Sequence, residues 1–258
     1  MIFTSTDFIF DGKQSRDFNI KLVNYEGTRT GMFGIHQSVE EEQAWNRDIP
    51  NFYGTKLTAP TFNLVFARVD KNHKPVPFTQ EDREKVIRWL CKREYKPFIS
   101  YDNLGIVYYM IFMQIERSIF INDTEYLTLY CKLNAPYGFT NLMNNPITNY
   151  NTTRQFIIEN KSNIVDEINP IIEIELLEDS KNVKIRNLTL GQEMSFTNLD
   201  LREKLTVYND LRFIKSSTDK QRYNNFNRKW ITLGYGVNHF EIEGKCKVNF
   251  VYSCPIAL

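Results

Sequence analysis

An apolar side chain at every second position over Thr61-Phe62-Asn63-Leu64-Val65-Phe66-Ala67-Arg68-Val69 narrows the fold of this chain more than any other feature. Phe62, Leu64 and Phe66 share one face, the two-residue period of a half-buried strand rather than the 3.6-residue period of a helix. The same period returns over residues 125–133, where Leu127, Leu129, Cys131 and Leu133 alternate with Tyr126, Thr128, Tyr130 and Lys132. Residues 105–120 precede this run across Asn122-Asp123-Thr124, and the two read as a hairpin. In the first third, Phe8-Ile9-Phe10 before Asp11-Gly12, then residues 18–23 and 32–36, are short apolar runs punctuated by turn residues and read as further strands.

One segment breaks the pattern. Thr79 is placed to cap residues 80–93, Glu81 and Asp82 suit the positive end of a helix, and Lys92 and Arg93 suit its negative end. Val86, Ile87, Trp89, Leu90 and Cys91 supply an apolar stripe and Pro97 closes the segment, so one amphipathic helix is expected.

From residue 134 to 153 the composition shifts to Asn, Pro, Gly and Thr, poor material for regular structure. The expected organisation is therefore a β domain over residues 1–134, a linker over 135–150 and a second β domain over 151–258. In the second domain short strands are expected at 155–159, 171–177, 183–190, 193–197, 205–208, 230–233, 239–243 and 245–252, an all-β sandwich or jelly roll.

Function classes are narrowed by what the residues lack. Lys and Arg number 32 against 31 Asp and Glu, so no pervasive field recruits nucleic acid or an acidic membrane. The longest apolar stretch, residues 105–113, is too short for a bilayer span of about 20 residues. Nothing at the start resembles a signal peptide, and the product is expected to stay in the cytoplasm of its producer. Cys91, Cys131, Cys246 and Cys254 are widely spaced and read as free core thiols. The three histidines, at 36, 73 and 239, have no partner at metal spacing, and no nucleophile elbow, P-loop or dinucleotide fingerprint occurs. The expectation is no catalytic residue, no metal and no cofactor.

Glu40-Glu41-Glu42 reads as a solvated loop, since neighbours in sequence cannot by themselves face each other across a cleft as glycoside hydrolysis demands. Trp230 and Tyr235 are candidates for stacking on sugar rings, the alternative being a carbohydrate-binding adhesin module.

The order of elements carries a resemblance. Phe8-Ile9-Phe10-Asp11-Gly12-Lys13-Gln14-Ser15-Arg16-Asp17-Phe18-Asn19-Ile20 looks like the opening strand, Gly-Lys turn and S-x-D-F-x-I sequence of the siphophage distal tail (Dit) family. Residues 83–90 resemble that family's helix, Tyr101-Asp102-Asn103 with Val107-Tyr108-Tyr109-Met110 the strand pair after it, and Ala135-Pro136-Tyr137 the entry to its linker. Residues 230–242 resemble its closing strands. The resemblance implies a structural virion protein without enzymatic activity. Its N-terminal domain would close into a hexameric ring through sheet edges and the hairpin, and its C-terminal sandwich would be peripheral and galectin-like. Implied partners are further copies of the chain, the tail tube protein, the tail-associated lysin or tip hub, and in some cases a receptor-binding protein, with assembly in the host cytoplasm. Candidate ring-interface residues are Phe33, His36 and Glu41 in the polar region 27–43, and Asn122, Asp123 and Thr124 at the hairpin tip.

Overall fold

The structure is a computed structural model that describes residues 3, 5–23, 37–120, 124–164, 167–177 and 180–257. The chain divides into two compact units, residues 1–139 with 257–258, and residues 140–256.

In the first unit the strands are β1 (Phe8–Phe10), β2 (Lys13–Gln14), β3 (Ile20–Leu22), β4 (Gln37–Glu42), β5 (Asn51–Leu57) and β6 (Thr61–Arg68). After the helix α1 (Gln80–Leu90) come β7 (Lys96–Ser100), β8 (Ile106–Ile119), β9 (Glu125–Leu133) and β10 (Gly138–Thr140). Seven strands of a nine-stranded sheet follow one another antiparallel in the order β2-β1-β7-β8-β9-β6-β3, and β10 pairs with β8 off that path. The expected alternation sets the register: Leu64 lies opposite Leu129 and Phe66 opposite Leu127. The sheet curls on itself, because the Leu22 amide in β3 donates to the Thr6 carbonyl just before β1 at 2.8 Å. Its core is aromatic, with Phe8, Phe10, Phe66, Phe98 and Trp89 buried.

The helix begins as its sequence indicates. Thr79 Oγ1 accepts the Asp82 amide at 3.2 Å while Asp82 Oδ2 accepts the Thr79 amide at 3.1 Å, a reciprocal capping box. It ends three residues earlier than expected. Cys91 turns out of the helix with ψ 83°, and Lys92, freed from the last turn, pairs with Asp11 at 3.1 Å. Val86, Trp89 and Leu90 are buried, whereas Ile87 and Cys91 are exposed, so the inward stripe is narrower than expected and Cys91 is not a core thiol. Gly138 lies against Ile106 and Tyr108 so closely that a Cβ there would sit 2.5 Å from Ile106 Cγ2.

In the second unit the strands are β11 (Met143–Asn149), β12 (Thr153–Asn160), β13 (Glu167–Ile168), β14 (Ile171–Leu176), β15 (Val183–Asn187), β16 (Gln192–Phe196), β17 (Lys204–Tyr208), β18 (Phe213–Ser216), β19 (Leu233–Gly234), β20 (Gly236–Glu243) and β21 (Cys246–Tyr252). One sheet runs β11-β21-β14-β17-β18 and another β12-β20-β15-β16, and both contribute to a single core that includes Ile174, Val207, Phe240, Ile242, Val248 and Phe250. That is a sandwich of alternating inward residues. Within the stretch read as irregular, residues 143–149 form β11, an edge strand whose Ile147 lies opposite Val248. Strand β18 carried no expectation, and of residues 230–233 only Leu233 falls in a strand.

Candidate functional site

Residues 37–57 form a two-stranded hairpin that stands out from the first unit, with every residue of β4 exposed and only Gly54 of β5 partly covered. Glu40-Glu41-Glu42, read as a loop, is strand: each pairs with β5, and a bulge between Glu40 and Glu41 leaves Tyr53 as the extra residue. The register puts Val39 opposite Thr55, Glu41 opposite Phe52 and Gln37 opposite Leu57, so Val39, Phe52 and Leu57 share a face with Glu41. On the connecting turn Trp45 is 96% exposed and Ile49 80% exposed. Tyr53 donates its hydroxyl to Glu42 at 3.0 Å, and Glu40 and Glu41 have no ion-pair partner among the described residues. An isolated two-stranded hairpin is marginally stable in water, and a contiguous exposed apolar patch marks an interaction surface. This arm has the character of a surface that another molecule covers.

At the tip of the β8–β9 hairpin, Glu125 is buried and holds the tip to the start of α1. Its carboxylate accepts from Arg117 Nε at 2.5 Å, the Phe78 amide at 3.0 Å and Arg83 at 3.4 Å. Burial alone would raise its pKa, but these donors outweigh it and hold the carboxyl below its ordinary value.

A groove of about 280 Å³ opens between β3 and the turn after β6, lined by Asp7, Arg16, Lys21, Asp70, Lys71 and His73. Its two carboxylates are already engaged. Asp7 pairs with Lys21 at 3.3 Å, and Asp70 Oδ1 accepts the amides of Asn72 and Lys74 at 2.8 and 2.9 Å. Arg16 lies over the Tyr101 ring at 5.3 Å, and neither it, Lys71 nor His73 has a carboxylate partner among the described residues. In the second unit a groove of about 530 Å³ is lined by Phe156, Ile157, Leu188 and His239.

Of the expected interface residues, Phe33, His36, Asn122 and Asp123 lie outside the described residues. Glu41 lies on the arm, and Thr124 accepts the Phe120 amide through its carbonyl at 2.9 Å. Trp230 packs against the core, edge-on to Phe226, with the Arg212 guanidinium 5.5 Å from its ring, whereas Tyr235 is exposed between β19 and β20. The arm residues Trp45, Ile49 and Phe52 were not singled out from sequence. Their signal was Trp45 and Ile49 beside the turn residues Asn46, Asp48 and Pro50, followed by the strand-like Asn51-Phe52-Tyr53. Among the described residues no group of three or more His, Cys, Asp or Glu is placed to hold a metal ion.

Comparison with known proteins gives a consistent set of likenesses. Residues 3–134 match the family model described as phage tail protein N-terminal domain, and residues 137–252 that described as phage tail C-terminal domain. The SPbeta prophage-derived uncharacterized protein YomH of Bacillus subtilis (strain 168) is 25% identical over 268 residues, covering 98% of each chain. Among solved structures, the SPP1 Dit protein, described as a paradigm of hub adsorption apparatus in Gram-positive infecting phages, aligns with a TM-score of 0.69 and 12% identity over 96% of this chain and 98% of that one. A chain of the phage P2 baseplate in its activated conformation with Ca aligns with a TM-score of 0.50 and 10% identity over 95% and 97%. The fold is therefore that of a siphophage distal tail protein.

Proposed function

The chain belongs to the family of phage tail proteins, and on that premise we propose that it is the hub subunit at the distal end of a long non-contractile tail, closing with further copies into a hexameric ring. As a phage tail protein it is a structural component of the virion, not an enzyme. In this reading residues 1–134 form the ring and residues 151–258 carry a separate task. The ring joins the last turn of the tail tube to the tip or lysin assembly and to a receptor-binding protein.

The observation that supports a ring is the arm. A subunit whose hairpin presents Val39, Trp45, Ile49 and Phe52 to solvent loses that exposure when a neighbouring subunit covers it. Each subunit then both gives and receives an arm, the arrangement that closes under rotation.

Light scattering and negative-stain microscopy of the full-length protein test this reading, together with gold-labelled antibody on virions. The expected result is a ring of six copies that is lost when residues 38–56 are replaced by a short Gly-Ser turn, with label at the tail tip. A full-length chain that stays monomeric at high concentration and is absent from the tail tip overturns it.

A further inference from the structure

We propose that the groove on the outer face of the β12-β20-β15-β16 sheet binds a neutral saccharide, with His239, Gln155 and Thr189 taking its hydroxyls and Ile157 with Leu188 taking the apolar face of one sugar ring. The site gives the second unit a task of its own and stands independently of the ring.

Strand register assembles the site. In β20, Asn238, Phe240 and Ile242 are buried in the sandwich, so Val237, His239, Glu241 and Glu243 point outward. Ile157 lies opposite His239, and the Leu188 amide donates to the His239 carbonyl at 2.8 Å, which sets Ile157, His239 and Leu188 in one row across the sheet. One step along, Gln155 lies opposite Glu241, Glu241 opposite Arg186 and Arg186 opposite Glu193, a second row that crosses all four strands. Rows on the same face of a sheet are about 7 Å apart. The groove opens over the first row with Gln155 and Thr189 at its sides, and its volume of about 530 Å³ is that of a small-molecule site rather than of a protein interface. Neither Trp230 nor Tyr235 lines it.

The charges beside the groove are spent on one another. Arg186 gives Nη1 to Glu241 at 2.7 Å and Nη2 to Glu243, with Glu193 3.4 Å from its Nε, and Lys184 pairs with Glu243 at 3.4 Å. Three carboxylates against two engaged cations leave nothing to attract a phosphate or a sulfate, so the ligand is uncharged. Gln155 is held in place because its Nε2 donates to Glu241 at 3.1 Å, and its Oε1 stays open. Thr189 Oγ1 accepts the His239 amide at 2.9 Å and keeps its proton to donate, while the His239 imidazole has no hydrogen-bond partner among the described residues. A hydroxyl and a neutral imidazole each offer one donor and an acceptor, the same pair that every sugar hydroxyl presents. Because neighbours already fix Gln155 and Thr189, little is lost in ordering them on binding. Ile157 and Leu188, 60% and 47% exposed, flank the imidazole with aliphatic surface. Two such side chains suit the C–H face of a single sugar ring and fall far short of the roughly 800 Å² that a protein partner covers.

The full-length chain tests the assignment on immobilised neutral hexose and N-acetylhexosamine oligomers, beside the sulfated and uronic-acid counterparts of the same oligomers. The strongest neutral hit is then titrated calorimetrically. At least one neutral oligomer is expected to bind, with no gain from sulfate or carboxylate. His239→Ala and Gln155→Ala should each weaken binding about tenfold, and Ile157→Arg, which fills the groove from an exposed position, should abolish it. All three side chains are exposed, so the melting temperature should not change. His239→Gln, which keeps a donor and an acceptor, should recover most of what His239→Ala loses. Absence of any neutral hit, tighter binding of the sulfated or uronic oligomers, or an affinity unchanged in His239→Ala and Ile157→Arg overturns the site. Each of those results leaves the ring untouched, since ring formation is read separately by light scattering.

Discussion

The Trp89 indole donates its Nε1–H to the main-chain carbonyl of Phe10 at 2.8 Å, tying the last turn of α1 to the first strand of the sheet. The same ring is stacked on Phe18, centroids 4.1 Å apart, and on Phe8 at 5.6 Å. Trp89→Phe keeps most of the stacking but leaves the buried carbonyl without this donor, and is expected to cost about 1–3 kcal/mol in a urea titration. Trp89→Ala also opens a cavity and is expected to cost about 3–5 kcal/mol. A Trp89→Phe protein with wild-type stability would show that water replaces the bond.

Asn238 is buried in the sandwich with all its polar capacity used. Its Nδ2 donates to the carbonyls of Gly234 and Gly236 at 2.7 and 3.1 Å, and its Oδ1 accepts the Gly234 amide at 2.8 Å and Asn187 Nδ2 at 3.1 Å. Asn238→Ala strands these partners together, so a loss of about 2–4 kcal/mol is expected, with faster hydrogen exchange at the Gly234 amide. Exchange at Gly234 that stays at the wild-type rate would rule out this role.

Acid is expected to loosen the second unit through Glu203. This fully buried carboxylate accepts from Arg222 Nε and Nη2 at 2.8 and 2.6 Å, from the Ser216 hydroxyl at 2.5 Å and from the Asp200 amide at 2.8 Å. Burial pushes its pKa up, but the Arg222 and Ser216 contacts outweigh burial and hold it below the ordinary 4.5. A carboxyl with a depressed folded pKa stabilises the fold above its unfolded value, and that stability is lost as pH falls through the folded one. The urea midpoint should therefore drop as pH goes below about 4.5, and the drop should be shallower in Glu203→Gln, which at neutral pH is already destabilised by about 3–5 kcal/mol. An equally steep acid response in Glu203→Gln would move the effect to other carboxylates, Glu125 first.

How much of this was legible in the sequence depends on which force decides each element. Strand β6, the β8–β9 hairpin and the Thr79 cap follow from local pattern, because burial period and capping chemistry act within a few residues. Strand β11 does not. Its Asn144, Asn145 and Pro146 argue for a turn, yet it is an edge strand templated along its whole length by β21, and an edge tolerates a proline. Asn149, Asn160, Asn187 and Asn209 are of a residue type that favours loops, but each is buried and satisfied by main-chain groups distant in sequence. The strand pairing of the arm was hidden for the same reason: three successive glutamates look like a solvated loop, and only their pairing with residues 51–57 makes them strand.

Trp45 offers a direct optical report on the arm. It is one of three tryptophans, and the other two are shielded: Trp89 is buried in the first unit and Trp230 packs against the core of the second. In the dissociated chain Trp45 should therefore supply the most solvent-exposed component of the emission, accessible to iodide quenching. Substituting it with Ser removes an exposed side chain from a turn, so the folded subunit should keep its stability within about 0.5 kcal/mol. Assembly should behave differently. Covering the arm buries an indole that is otherwise almost wholly in water, and aromatic anchors of this kind dominate interface energetics. Emission of the wild-type protein should accordingly shift to the blue and lose its iodide quenching as concentration rises through the assembly midpoint. Trp45→Ser should show no such shift and assemble at least about tenfold more weakly, a difference of 1.4 kcal/mol or more. Full iodide quenching of Trp45 in the assembled ring would mean that the tip of the arm stays in solvent and that only its strands make the contact.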